Sequence, residues 1–194
     1  MATILLMQNP EEVHPDQIKT IRELAHDHDL WMTRKPLIEN PERISEVEIS
    51  TGFLPPFELI LNGRLKWHHA FSAGMDWLFK IENHQELPMV LTNSSGIHAI
   101  PMSEHTFALI LAHERTLTKI IRNQSKGIWE GTAPGAPMET IAGKTMLILG
   151  VGAIGERVAK LAQAHDIHVL GIRRQPERTS EFVNEMYGRE QLNV

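Results

Sequence analysis

Residues 145–172 constrain the fold of this chain more than any other stretch. Thr145–Leu149 is an unbroken apolar run of strand length, and Gly150-Val-Gly152-Ala-Ile-Gly155 follows it directly. Glu156–His165 then has helical character and Ile167–Ile172 is a second apolar run. A G-x-G-x-x-G pattern alone is a weak signal, but in the order strand, turn, helix, strand it describes the opening βαβ unit of a dinucleotide-binding sheet. Gly150 permits the tight turn, Gly152 admits a pyrophosphate close to the backbone, and Gly155 lets the helix pack on the strand. Ala153 and Ile154 lie where the helix begins, and its unpaired N–H groups are expected to face the anion. The competing reading is an ordinary strand-to-helix turn with packing glycines.

At the end of the second strand of such a unit an Asp or Glu normally accepts a hydrogen bond from the adenine ribose 2′-hydroxyl. Here that place holds Arg173, followed by Arg174. A guanidinium only donates, so it cannot serve the hydroxyl in that way, but it can clamp a 2′-phosphate. One charge-assisted contact of roughly 1.5–3 kcal/mol favours the phosphorylated cofactor by about one to two powers of ten. NADP is therefore the expected cofactor, with NAD as the alternative. The competing reading is two surface arginines near a helix start.

Before this unit, short apolar runs alternate with helical patterns. Strands are expected at Thr3–Met7, Glu48–Gly52, Lys66–Phe71 and Met89–Thr92. Helices are expected at Pro15–Asp29, Pro41–Val47, Pro55–Leu61 and Gly74–Glu82, several opened by a proline whose missing N–H costs nothing in a first turn. The alternation predicts a parallel α/β sheet. From Pro101 onward Phe107, Ile110, Leu111, Leu117 and Ile121 recur at spacings of three and four, which predicts one long helix over 103–126. Gly127, Gly131, Pro134, Gly135, Pro137 and Gly143 then mark an irregular arm over 127–143. The expected division is a first domain over 1–100 and a second over 101–194.

With 194 residues and 42% hydrophobic content the chain has the composition of a folded protein. A net charge of -5 without like-charge runs leaves no footprint for nucleic acid or an anionic membrane surface. The absence of cysteine removes disulfides and thiol nucleophiles and fits a reducing compartment, the cytoplasm by default. No uncharged apolar run reaches the length of a membrane span.

Four segments stand in an order that resembles a known family. They are Phe71-Ser-Ala-Gly-Met-Asp-Trp-Leu78, Leu91-Thr-Asn-Ser-Ser-Gly-Ile-His98, Met102-Ser-Glu-His-Thr-Phe-Ala-Leu109 and the glycine turn. Together they resemble the D-isomer-specific 2-hydroxyacid dehydrogenases. The resemblance covers nearly the whole chain and is weakest before residue 50. It implies a flavodoxin-like substrate domain followed by a Rossmann-type dinucleotide-binding domain, incomplete here. It also implies an NAD(P)-dependent oxidoreductase that interconverts a 2-oxo acid and a D-2-hydroxy acid. By motif, the main-chain N–H groups of Ala73, Gly74 and Met75 would take the substrate carboxylate. Met102 would lie near the cofactor, and the long helix with its arm would form a homodimer. The usual residue at Met75 is a smaller aliphatic one.

The family's substrate-orienting arginine, acid–base histidine and partner carboxylate come from a later part of the nucleotide domain, so the catalytic residues are expected beyond Val194. The chain is read as truncated and inactive alone, with the first Rossmann strand left as an exposed apolar edge. Histidines offer no substitute by spacing. His26 and His28 do not share a helix face, His105 and His113 make no metal pattern, and His68 and His69 point to opposite faces of a strand. Two other readings stay open: a non-catalytic dinucleotide-binding or dimerising relative, and a relative acting on formate or phosphite.

Overall fold

The computed structural model describes residues 1–33, 35–52, 59–60, 64–129 and 138–192, with backbone only at positions 36 and 37. Most of the helix expected at Pro55–Leu61, residues 130–137 of the expected arm, and the last two residues lie outside the described residues. Two compact units follow one another, Met1–Ser95 and Gly96–Val194.

The first unit is built on five strands: β1 (Thr3–Leu6), β2 (Asp29–Trp31), β3 (Val47–Gly52), β4 (Trp67–Ala70) and β5 (Val90–Asn93). All pair in parallel, in the order β2-β1-β3-β4-β5. This is the doubly wound order of flavodoxin-like sheets, as expected. Helix α1 (Pro15–Leu24) starts with proline at its first position, and His14 Nδ1 accepts the N–H of Asp16 at 3.3 Å. It ends five residues earlier than expected because the chain must enter β2, whose Asp29 N–H is taken by Ala2 O at 3.0 Å. Helix α2 (Lys35–Glu39) is short. Leu5, Trp31, Val47, Leu59 and Leu65 form one core cluster, and Ile60, Trp77 and Ile81 a second.

Two expected helices of this unit are 3-10 segments instead, Pro41–Glu46 and Asp76–Lys80. The second is closed by i→i+3 bonds, Leu78 N–H to Met75 O at 2.9 Å and Ile81 N–H to Leu78 O at 3.0 Å. Both segments are short connections, and the tighter 3-10 turn suits them.

The second unit opens with α3 (Ala99–Glu114) and α4 (Leu117–Gln124). The single helix expected over 103–126 is thus two helices, broken at Thr116, which has a left-handed φ of 51°. In a continuous helix the carbonyl of Glu114 would accept the N–H of Thr118. Here it accepts the N–H of Glu139 at 3.1 Å, while Lys144 Nζ bridges the carboxylates of Glu114 and Glu139 at 2.9 and 2.6 Å. The returning chain occupies the acceptor that helix continuation needs.

Strand β6 (Thr145–Leu149), helix α5 (Ala153–Ala164), β7 (His168–Ile172) and β8 (Glu185–Tyr187) complete this unit, with parallel order β6-β7-β8. Phe107 from α3 packs with Ile148, Val151, Val158, Ala159, Ala162 and Val169. Among the described residues β6 pairs with β7 alone, and Leu149 is 67% exposed. No helix among the described residues is long and apolar enough to cross a membrane.

Candidate functional site

In open α/β sheets ligands gather at the carboxyl ends of the strands, and in the first unit that edge carries the loop after β4. Phe71 N–H donates to Gly52 O at 3.0 Å and Ser94 N–H to Ala70 O at 3.1 Å, which ties the loop's root to β3 and β5. Two side chains then hold its carbonyls: Asn93 Nδ2 donates to Ala73 O at 2.7 Å and Ser72 Oγ to Gly74 O at 2.8 Å. Among the described residues no acceptor takes the N–H of Ala73, Gly74 or Met75. Ala73 and Gly74 are exposed. A Cβ added at Gly74 would meet only Asp76 Oδ2, at 3.8 Å, so the glycine serves open space and not internal fit. Met75 packs against the Ile60, Trp77 and Ile81 cluster, which gives its length an internal use.

Beside the loop, His69 places Nδ1 against Thr92 Oγ1 at 2.9 Å and Nε2 against Ser94 Oγ at 3.3 Å. His68 faces the other way, as strand alternation requires, and is fully buried. Its Nδ1 lies 2.8 Å from Ser50 Oγ across the β3–β4 pair, and its ring meets Trp77 edge-on at 5.9 Å. Burial first, and then the neighbouring His69, push its pKa down to about 4, against the opposing hydrogen bond with Ser50. His68 is therefore a neutral structural group. Ser72, Asn93 and Ser94 were not singled out from sequence. They fall inside two of the family-like segments, Phe71–Leu78 and Leu91–His98, where nothing local to the sequence gives any one of them a role.

In the second unit a cleft of about 500 Å³ is lined by Gly150, Val151, Gly152, Arg173, Arg174 and Gln175. Gly150 has φ +101°, which a side chain would strain, and its N–H and that of Val151 donate to Ile172 O at 2.9 and 3.1 Å. A Cβ on Gly155 would overlap the carbonyl oxygen of Gly150 and reach Ile148 Cγ2 at 3.1 Å. Gly152 has nothing within 4 Å of such an atom. The turn thus needs glycine at 150 and 155 for its own geometry, whereas at 152 glycine leaves room outside.

Ala153, Ile154 and Gly155 open α5, and their N–H groups have no acceptor among the described residues. Arg173 is held from both ends: its N–H donates to Tyr187 O at 3.0 Å and its Nη1 to Arg178 O at 2.8 Å. Arg174 is exposed and has no partner among the described residues. The structure therefore brings the glycine turn and both arginines to one cleft. Met102 is not among the cleft's lining residues. It sits in the first turns of α3, 46% exposed. Among the described residues no group of three or more His, Asp or Glu side chains is placed to hold a metal ion.

Residues 107–193 match the NAD-binding domain of D-isomer specific 2-hydroxyacid dehydrogenases. A solved D-isomer specific 2-hydroxyacid dehydrogenase family protein of Aeromonas salmonicida superposes with a TM-score of 0.81 at 25% identity, over 99% of this chain and 59% of that one. The second unit carries a D-isomer-specific 2-hydroxyacid dehydrogenase NAD-binding domain. Among relatives, glyoxylate reductase of Aeropyrum pernix is 32% identical over 61% of this chain and 36% of its own length. D-3-phosphoglycerate dehydrogenase of Archaeoglobus fulgidus is 34% identical over 72% of this chain and 26% of its own length. The chain thus spans about a third of the length of the curated relatives it matches.

Proposed function

We propose that this chain supplies the substrate-carboxylate loop and the cofactor cleft of an NADP-linked oxidoreductase that interconverts a 2-oxo acid and a D-2-hydroxy acid. The observation that carries the proposal is the cleft in which Gly150 and Gly152 share walls with Arg173 and Arg174. A pyrophosphate fits over the open side of Gly152, at the free N–H groups of α5, where the helix N-terminus favours an anion. Arg173, braced by Arg178 O, and the unpartnered Arg174 suit a 2′-phosphate.

Hydride exchange at the substrate's C2 is the chemistry a nicotinamide supplies when bound. The residues assigned here bind and orient, and none is assigned as acid or base. The first unit is the substrate-binding one, with Ala73, Gly74 and Met75 donating to the carboxylate. Met102 is assigned to the nicotinamide side of the cofactor. The names of the curated relatives support a small 2-oxo acid of the glyoxylate kind or a phosphorylated hydroxy acid. A second copy of the chain is proposed to cover α3 and α4, where Ile100, Leu109 and Ile121 are 54, 60 and 62% exposed.

The test is fluorescence titration with NADPH and NADH. Tighter NADPH binding that falls about tenfold or more in Arg173→Ala or Arg174→Ala is expected, in line with the loss of one charge-assisted contact. Equal affinity for the two cofactors in the unaltered chain would remove the NADP assignment.

A further inference from the structure

A loop that binds a carboxylate through its backbone must present N–H groups and keep its carbonyls away, because each peptide carries both. In a trans peptide the C=O and the following N–H point in opposite directions across one plane, and no cis peptide occurs among the described residues. The carbonyl of Ala73 shares its peptide with the N–H of Gly74, and the carbonyl of Gly74 shares its peptide with the N–H of Met75. Whatever holds these two carbonyls therefore aims these two N–H groups.

Asn93 Nδ2 holds the first at 2.7 Å and Ser72 Oγ the second at 2.8 Å. The acceptors are carbonyl oxygens, so the amide nitrogen of Asn93 and the hydroxyl proton of Ser72 are the groups that face them. Asn93 is itself fixed, since it ends β5 and stands in register with Ala70 of β4. A glycine in the loop would otherwise make the peptide on either side free to turn over, which would point a carbonyl at the anion.

We propose that Asn93 and Ser72 are positioning residues for carboxylate recognition, locking the 73–74 and 74–75 peptides so that Gly74 and Met75 offer two donors and no acceptor. The inference rests on the reading of this loop as the carboxylate site and adds the reason that the loop stays competent when empty. The Ser72 contact spans two residues and the Asn93 contact twenty, so a rigid strand and the loop itself each secure one peptide. Neither residue touches the substrate.

The experiment is NMR on the full 194-residue chain, with oxamate, an amide analogue of a 2-oxo acid that keeps the carboxylate, as the titrant and chloride at matched ionic strength as the control. Saturable shifts of the Gly74 and Met75 amides are expected. Asn93→Leu, which keeps bulk and neutrality but loses the donor, should weaken oxamate binding about tenfold, and Ser72→Ala by several-fold, each the loss of one hydrogen bond. Ser72→Thr, which keeps a hydroxyl, should bind as the unaltered chain does.

In the free variants the carbonyl 13C resonance of Ala73 should move in Asn93→Leu and that of Gly74 in Ser72→Ala, while the amides of β4 and β5 more than two residues from the substitution, such as Trp67, His68 and Val90, stay in place. A purely structural tie would disturb the strands as well. If the unaltered chain binds oxamate at Gly74 and Met75 and both donor-lacking variants bind within twofold of it, the positioning role is overturned and the carboxylate site stands. If oxamate shifts neither amide in the unaltered chain, the carboxylate site and the positioning role fall together.

Discussion

Burying an imidazole on β4 with a hydroxyl and an indole for company, and no anion acting on it among the described residues, fixes how the first unit responds to acid. His68 titrates near 6.5 in an unfolded chain and at about 4 in the folded one. Between those values the unfolded chain holds the proton and the folded chain does not, so unfolding gains. The contribution is complete above pH 6.5, is lost as pH falls toward 4, and amounts to about 3 kcal/mol at most. Urea denaturation between pH 7.5 and 4 should show this slope, and His68→Gln should flatten it; an equal slope in both would refute the assignment. The two glycines of the turn should separate in the same residue-by-residue way. Gly155→Ala must displace the Gly150 carbonyl and should cost about 1–3 kcal/mol of stability, read in thermal denaturation. Gly152→Ala should fold normally and lose dinucleotide affinity, because its added methyl meets no protein atom and stands where a pyrophosphate is proposed to approach.

Among the elements, the βαβ unit over 145–172 was legible because three local signals coincide there: apolar strands, a glycine spacing and a helical run. Strands β2 and β8 were not. Asp29-Leu-Trp31 and Glu185-Met-Tyr187 are three residues long, and they are strands only because β1 and β7 offer parallel partners. The α3–α4 break was hidden for a related reason, since its apolar spacing runs on through Leu117 and Ile121. What interrupts it is a residue 25 positions away, Glu139, taking the Glu114 carbonyl. Thr116 pays for that break with a left-handed φ that disfavours a β-branched side chain. Thr116→Gly should relieve it and raise stability by about 0.5–1 kcal/mol; a fall in melting temperature would show that the break is not strained.

For the whole molecule, each unit has its own sheet and its own core clusters. Destabilisation should therefore stay local. In hydrogen exchange, Gly155→Ala should speed exchange in β6, β7 and α5 and leave β1, β3 and β4 protected as before, with the reverse pattern for His68→Gln at pH 7.5, where the neutral imidazole carries no acid penalty for the glutamine to remove. Exchange that rises across both units in either variant would show one cooperative body instead of two.

By itself the sequence determined the parallel α/β class, the glycine turn with its place at the start of a βαβ unit, and the pair of arginines that ends β7, because each depends on residues close together along the chain. Tertiary structure alone decided which of two adjacent histidines is buried, where the long helix breaks, and which side chains hold the carbonyls of the loop at 73–75. Those outcomes turn on hydrogen bonds between Ser50 and His68, Glu114 and Glu139, and Ala73 and Asn93. Such partners meet only when separate strands or returning segments come into register, and no local propensity encodes that meeting.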